Sequence, residues 1–258
     1  MGRVVFIGAG PGAADLITVR GARLLAQADV VLFDALTDPA LRELAPQALW
    51  VDVGKRGFRH SAAQPAIDAL LVRHAQQHAL VVRLKGGDPG VFGRLEEELQ
   101  ALAAHAIACE IVPGVTAAIA AAAATQRPLT RRGHGRSVSL NTAMTAQGRL
   151  QAGRSADTDV YYMAGRQLAV LSRRLLAAGW PGDAPVCVVS RVGWPDQLAT
   201  DHRVDSLAAA AIFHAGRPAV VTVGAGASPV PMAASVPAED ALKPTAQPGK
   251  PGRRKISA

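Results

Sequence analysis

Residues 4–34 read VVFIGAGPGAADLITVRGARLLAQADVVLFD, and this stretch decides the fold. The apolar run VVFI ends on a glycine turn, GAGPG, and a second apolar run, VVLFD (30–34), lies further on. Short, continuous apolar runs rich in β-branched residues mark strands buried on both faces. Between them ADLITVRGARLLAQA (14–28) carries helical spacing. A strand, a helix and a strand in that order predict a βαβ unit of a parallel sheet.

The alternation continues outward from there. LRELAP reads as helical, ALWVDVG (48–54) as a strand, PAIDALLVRHAQQHA (65–79) as a helix and LVVRLKGGDPG (80–90) as a strand running into a turn. LEEELQALAAHA is expected to be helical and IACEIVPG a strand. The second half repeats the theme less regularly. SVSLNTAM (137–144), DVYYMAG (159–165), APVCVVSRVG, LATDHRV and PAVVTVGAG (218–226) read as strands. QLAVLSRRLLAAG (167–179) reads as a helix closed by Gly179, with Pro181 beyond it. The polar stretch 145–156 is expected to be a surface loop. The sum is a mostly parallel α/β protein. Residues 227–258 hold six prolines and little apolar periodicity, and are expected to be a disordered basic tail.

The chain of 258 residues is 49% hydrophobic but only 4% aromatic, which implies an aliphatic core of considerable size. No run of about 20 apolar residues predicts a membrane span, and the N-terminus lacks the pattern of a signal peptide. A cytoplasmic protein with no membrane partner is therefore expected. Cys109 and Cys187 sit in apolar runs without a C-x-x-C, so two buried thiols are expected rather than a disulfide. The net charge is +8, of which the tail supplies +3. No aromatic–basic stacking motif accompanies this charge, so nucleic acid is not the expected partner; an acidic small-molecule substrate accounts for it equally well. His74 and His78 share a helix face, but no third ligand is evident and no metal is expected.

Four strand-end loops could carry chemistry. Gly8-Ala9-Gly10-Pro11-Gly12-Ala13 follows a strand, and its glycines allow close backbone approach to a ligand. It fits the loose dinucleotide fingerprint, with Asp34 where an NAD-binding acid would sit, so an NAD-dependent oxidoreductase is one reading. VVRLKGGDPGVFGR (81–94) is a second glycine-rich strand end, which a dehydrogenase does not require, and Asp88 in it can accept hydrogen bonds from hydroxyl or ammonium groups. VPGVTAA (112–118) and YYMAG (161–165) end two further strands. In open α/β sheets ligands gather at the carboxyl ends of strands.

Taken together, these strings resemble the tetrapyrrole methyltransferase family over roughly residues 3–226. The strongest parts are the opening stretch through Leu36, VGKR (53–56) and VVRLKGGDPGVFGR, followed in order by PGVTAA, PLTRR and YYMAGR. The resemblance implies two α/β domains of the tetrapyrrole methylase type, 1–115 and 116–226, with the active-site cleft between them and the tail 227–258 beyond. It also implies a homodimer, a tetrapyrrole substrate and S-adenosylmethionine as cofactor, leaving S-adenosylhomocysteine as product. Cofactor contacts then fall on Pro11, Gly86, Gly87, Asp88, Val91, Thr116, Ala117, Met163, Val192 and Ala219. Asp34 matches the family's proposed proton acceptor and Lys55 its proposed donor. Arg94, Glu97 and Arg132 match polar positions beside the tetrapyrrole. Methylation of uroporphyrinogen III to precorrin-2 is the implied reaction, with a later precorrin methyltransferase as the alternative. Leu95-Glu96 replace two small residues common in relatives, a bulk expected to narrow the substrate side.

Overall fold

The computed structural model describes residues 2–54, 64–144 and 152–231. The first half forms a five-stranded, wholly parallel sheet in the order β3-β2-β4-β1-β5, built from β1 (Arg3–Gly8), β2 (Val30–Phe33), β3 (Leu49–Asp52), β4 (Leu80–Lys85) and β5 (Cys109–Val112). Successive side chains point to opposite faces, so each apolar run feeds two cores. Val5, Ile7, Val31 and Val82 pack on one face with Leu25 of α1 (Val19–Leu25) and Leu41. Val4, Phe6, Leu32 and Val81 pack on the other with Ile67 and Leu71 of α2 (Gln64–Gln77) and Leu102 of α3 (Leu95–Ala104). The chain leaving β1 thus passes over one face and the chain leaving β4 over the other. Because β1 and β4 are neighbours, a crevice opens between their carboxyl ends.

The second half departs from the parallel expectation. Its sheet runs β6-β7-β10-β8-β9, from β6 (Val138–Thr142), β7 (Thr158–Tyr162), β8 (Pro185–Ser190), β9 (Leu198–Arg203) and β10 (Ala219–Gly224). Only β6 and β7 are parallel; β7–β10, β10–β8 and β8–β9 pair antiparallel. One face carries α5 (Leu168–Ala177) through Leu168, Leu171 and Leu175. The other carries the all-but-one-alanine helix α4 (Ala117–Ala124), whose small side chains let it lie close to β7 and β10. A four-residue α6 (Ala211–His214) precedes β10.

Four local expectations change as well. The helix expected over 14–28 breaks into a 3-10 turn (Ala14–Leu16) and α1, because the Thr18 hydroxyl caps α1 by accepting from the Gly21 amide at 3.0 Å. LRELAP forms only a 3-10 turn (Pro39–Leu44), capped by Asp38. Cys109 is exposed, since β5 is an edge strand, whereas Cys187 is buried. Ala227 is buried and its carbonyl accepts from Arg127, so the body extends past the expected boundary at 226; residues 232–258 lie outside the described residues. No described helix is long and apolar enough to cross a membrane.

Candidate active site

Three strand ends of the first sheet meet backbone to backbone. The Gly10 and Gly87 amides each donate to the other's carbonyl, at 3.3 and 2.7 Å. A Cβ on Gly8 would stand 2.5 Å from the Gly114 Cα and 2.7 Å from the Gly87 carbonyl oxygen. Only glycine permits this approach. Asp88 ties the junction: its carboxylate accepts from the Gly90 amide at 2.7 Å and from the Gly114 amide at 2.8 Å. Asp88 therefore fastens the loop after β4 to the loop after β5 while also facing the crevice.

A cavity of about 260 Å³ lies over this junction, roofed by the second sheet. All ten residues expected to hold the cofactor line it, from Pro11 through the 86–91 loop, Thr116, Ala117 and Met163 to Val192 and Ala219. Val192 is buried in this wall. Sequence reasoning missed Phe92, Tyr162, Arg191 and Trp194 in the same wall. The Tyr162 hydroxyl bonds to the Thr116 hydroxyl at 2.7 Å and accepts from the Ala118 amide at 3.3 Å, which ties β7 to the start of α4. Burial raises the Tyr162 pKa, so the phenol stays neutral. Phe92 meets the Tyr162 ring edge-on at 5.1 Å. Phe92, Met163 and Arg191 all have positive φ (52°, 59° and 50°), a conformation uncommon outside glycine and frequent at ligand sites.

A second cavity of about 440 Å³ shares Leu36, Gly86, Val91 and Phe92 with the first. Asp34, Gly54, Arg83, Lys85 and Arg94 line it. Asp34 does not cap the following turn; Asp38 does. Its Oδ1 accepts from Arg83 Nη2 at 2.6 Å. Behind it, Glu98 accepts from Arg83 Nε at 2.9 Å and from Lys85 Nζ at 2.6 Å. Burial works against the Arg83 charge, but Asp34 and Glu98 more than offset it and its pKa stays raised. Burial, followed by the repulsion of Arg83, lowers that of Lys85. Neither basic residue was singled out from the sequence; the signal was two cations at alternate positions of an otherwise apolar strand.

The remaining expected residues divide. Arg94 and Glu97 pair with each other at 2.6 and 2.7 Å, both half-exposed, with Arg94 on the rim of the second cavity. Arg132 is exposed and lines neither cavity. Lys55 lies outside the described residues, directly after Gly54 on the rim. Leu95 turns into the core beside α2 and Glu96 is exposed, so the expected narrowing does not arise from them. His74 is buried rather than exposed, and no cluster of three metal-ligating side chains occurs among the described residues.

The dinucleotide reading does not survive this topology. In a Rossmann sheet the ribose-binding acid ends the strand beside the glycine-turn strand. Here β4 separates β2 from β1, and Asp34 is held by Arg83.

Comparison with known proteins agrees with this geometry. Residues 3–208 match the family model for Tetrapyrrole (Corrin/Porphyrin) Methylases. The chain is 42% identical over 228 residues to a uroporphyrinogen-III C-methyltransferase of Pseudomonas aeruginosa, covering 86% of this chain and 93% of that one. Its fold superposes with a TM-score of 0.76 and 36% identity on a uroporphyrin-III C-methyltransferase from Thermus thermophilus complexed with S-adenosylhomocysteine, covering 86% of this chain and 97% of that one. A cobalt precorrin-4 methyltransferase superposes with the same TM-score at 29% identity, over 88% of this chain and 96% of that one.

Proposed function

Since the chain belongs to the tetrapyrrole (corrin/porphyrin) methylase family, we propose that it is a uroporphyrinogen-III C-methyltransferase, placing methyl groups from S-adenosylmethionine on C-2 and C-7 to give precorrin-2. The convergence of ten residues, distant along the chain, on one cavity directly beside the cavity that Asp34 faces carries this reading. The cofactor supplies an electrophilic methyl on a sulfonium sulfur. The residues fit such a group: an apolar wall, accessible backbone at Gly86 and Gly87, and a carboxylate at Asp88 whose oxygens each keep a lone pair beyond the amides they hold.

The first cavity binds the nucleoside and the second the acidic tetrapyrrole, so that the pyrrole carbon meets the methyl in line through their shared wall. Holding both partners at near-attack distance supplies most of the rate. As the pyrrole carbon takes the methyl, the methyl–sulfur bond would break with its electron pair left on the departing thioether, and the positive charge would pass to the ring. C-2 and C-7 already carry side chains and hold no hydrogen, so the proton taken by Asp34 comes from the bridging methylene beside the methylated ring, whose C–H electron pair forms a C=C bond to that ring and discharges the cation. Arg94, oriented by Glu97, offers its guanidinium to a substrate carboxylate. Lys55, which follows Gly54 in the sequence, keeps the proton-donor role that the family resemblance implies. The division into domains at 115/116 and a homodimeric assembly belong to the same proposal; light scattering on the purified protein tests the latter.

Incubation with uroporphyrinogen III and methyl-labelled cofactor tests the function. Label incorporation with the absorbance of precorrin-2 is expected. Transfer only to an already methylated precorrin assigns the chain to a later methylation step instead.

A further inference from the structure

A buried ion network stands behind the second cavity. The Arg83, Lys85 and Glu98 side chains are 3%, 4% and 0% exposed, and Asp34, at 32%, is the most open member; Arg83 and Lys85 border the cavity with little exposed surface. Two cations face two anions, so the group is balanced. Burying three charges is costly, and apolar residues of similar size usually serve stability as well or better. The rest of β4 is apolar, so a purely structural role leaves the choice of Arg83 and Lys85 unexplained.

The geometry fixes each member in turn. Lys85 neutralises Glu98 Oε2 at 2.6 Å, leaving Oε1 for Arg83 Nε at 2.9 Å. Arg83 Nη1 is held by the Leu84 carbonyl at 3.2 Å and the Leu32 carbonyl at 3.4 Å. The guanidinium can therefore neither rotate nor advance toward a substrate carboxylate. Its remaining arm, Nη2, holds Asp34 Oδ1 at 2.6 Å, while Oδ2 has no hydrogen bond among the described residues. Among the described residues Arg94, before α3, is the other charged side chain lining the cavity; next to its lining residues, Asp52 at the end of β3 accepts from the Gly54 amide and Asp68 on α2 from Gln64.

We propose that Arg83 is a positioning residue, locked by Glu98 and Lys85, that holds the Asp34 carboxylate in one orientation with Oδ2 presented to the substrate carbon. This inference rests on Asp34 being the proton acceptor.

A double-mutant cycle tests it, using Arg83→Lys, Glu98→Gln and Asp34→Asn in the full chain. Arg83→Lys keeps the charge but cannot span Glu98 and Asp34 together. It is expected to lower kcat about 10- to 100-fold, the scale of an ångström-sized misplacement, with KM and S-adenosylhomocysteine affinity held within about twofold. In the Asp34→Asn background the same substitution is expected to cost less than about twofold, because groups that act as a unit are not additive. An equal loss in both backgrounds, or no loss in the first, overturns the proposal. If Arg83→Lys fails to bind S-adenosylhomocysteine, Glu98→Gln takes its place in the cycle under the same criteria. Full activity of Asp34→Asn alone removes the proton-acceptor role, a failure distinct from additivity in the cycle.

Discussion

Gly8→Ala is a small change with a large expected effect. The added methyl would sit 2.5 Å from the Gly114 Cα, 2.6 Å from the Gly114 amide nitrogen and 2.7 Å from the Gly87 carbonyl oxygen. Carbon atoms prefer about 3.5–4.0 Å, so the junction must open by about 1 Å. None of the three atoms belongs to a flexible side chain. Gly87 is pinned by its exchange with Gly10, and Gly114 by Asp88. Overpacking of this kind costs about 1–3 kcal/mol. In a protein of this size that lowers Tm by about 2–12 °C. Opening the junction also displaces the Asp88 clamp, and S-adenosylhomocysteine should bind at least about 10-fold more weakly, equivalent to about 1.4 kcal/mol. Gly153→Ala is the matched control, since its methyl meets nothing within 4 Å; it should stay within about 0.5 kcal/mol of the parent. Thermal unfolding and titration calorimetry read both quantities. A Gly8→Ala protein with parental Tm and parental affinity would refute the backbone-to-backbone junction.

Other perturbations separate the roles assigned above. Asp34→Ala should lower turnover about 10²- to 10⁴-fold, the usual weight of general base catalysis, and leave S-adenosylhomocysteine affinity nearly intact by calorimetry. Asp88→Ala frees two backbone amides and should weaken that affinity strongly; unchanged binding would remove Asp88 from the cofactor site. Tyr162→Phe loses the bonds to Thr116 and Ala118 and should cost about 1–3 kcal/mol in denaturant unfolding. Burial lowers the pKa of His214, His202 and His74 below 6.5, so the folded protein binds fewer protons than the unfolded chain in mild acid. Their contribution to stability is complete above about pH 6.5 and declines as the pH falls below it, which urea midpoints from pH 7.5 to 5 would follow; a flat profile would contradict it.

The first sheet was legible because each of its strands is a short apolar run followed by a crossover, a local pattern with one topological outcome. The pairing of the second sheet was not, because the direction in which β10 joins β7 and β8 is set by residues far apart in the chain. One hint was present: LATDHR alternates strictly between half-buried and exposed positions, as an antiparallel edge strand does. The cavity-lining glycines and Asp88 stood out because strand-end turns carry a compositional mark, whereas Met163 was implied by the family resemblance. Arg83, Lys85 and Glu98 could not, since their burial depends on contacts spanning 13 to 15 residues that no local period records. The break at Thr18 was a matter of turn chemistry overriding helical spacing.

The first cavity takes one wall from the parallel sheet's loops and the other from β7, β8 and β10. Whatever fills it acts as a strut between halves that otherwise share little of their cores. A ligand held this way adds its binding free energy to cohesion of the pair, in proportion to the logarithm of its concentration over Kd. Saturation should therefore merge the melting of both halves into one cooperative event, while drift at positions remote from any loop, by tilting one half against the other, surfaces first as weakened affinity.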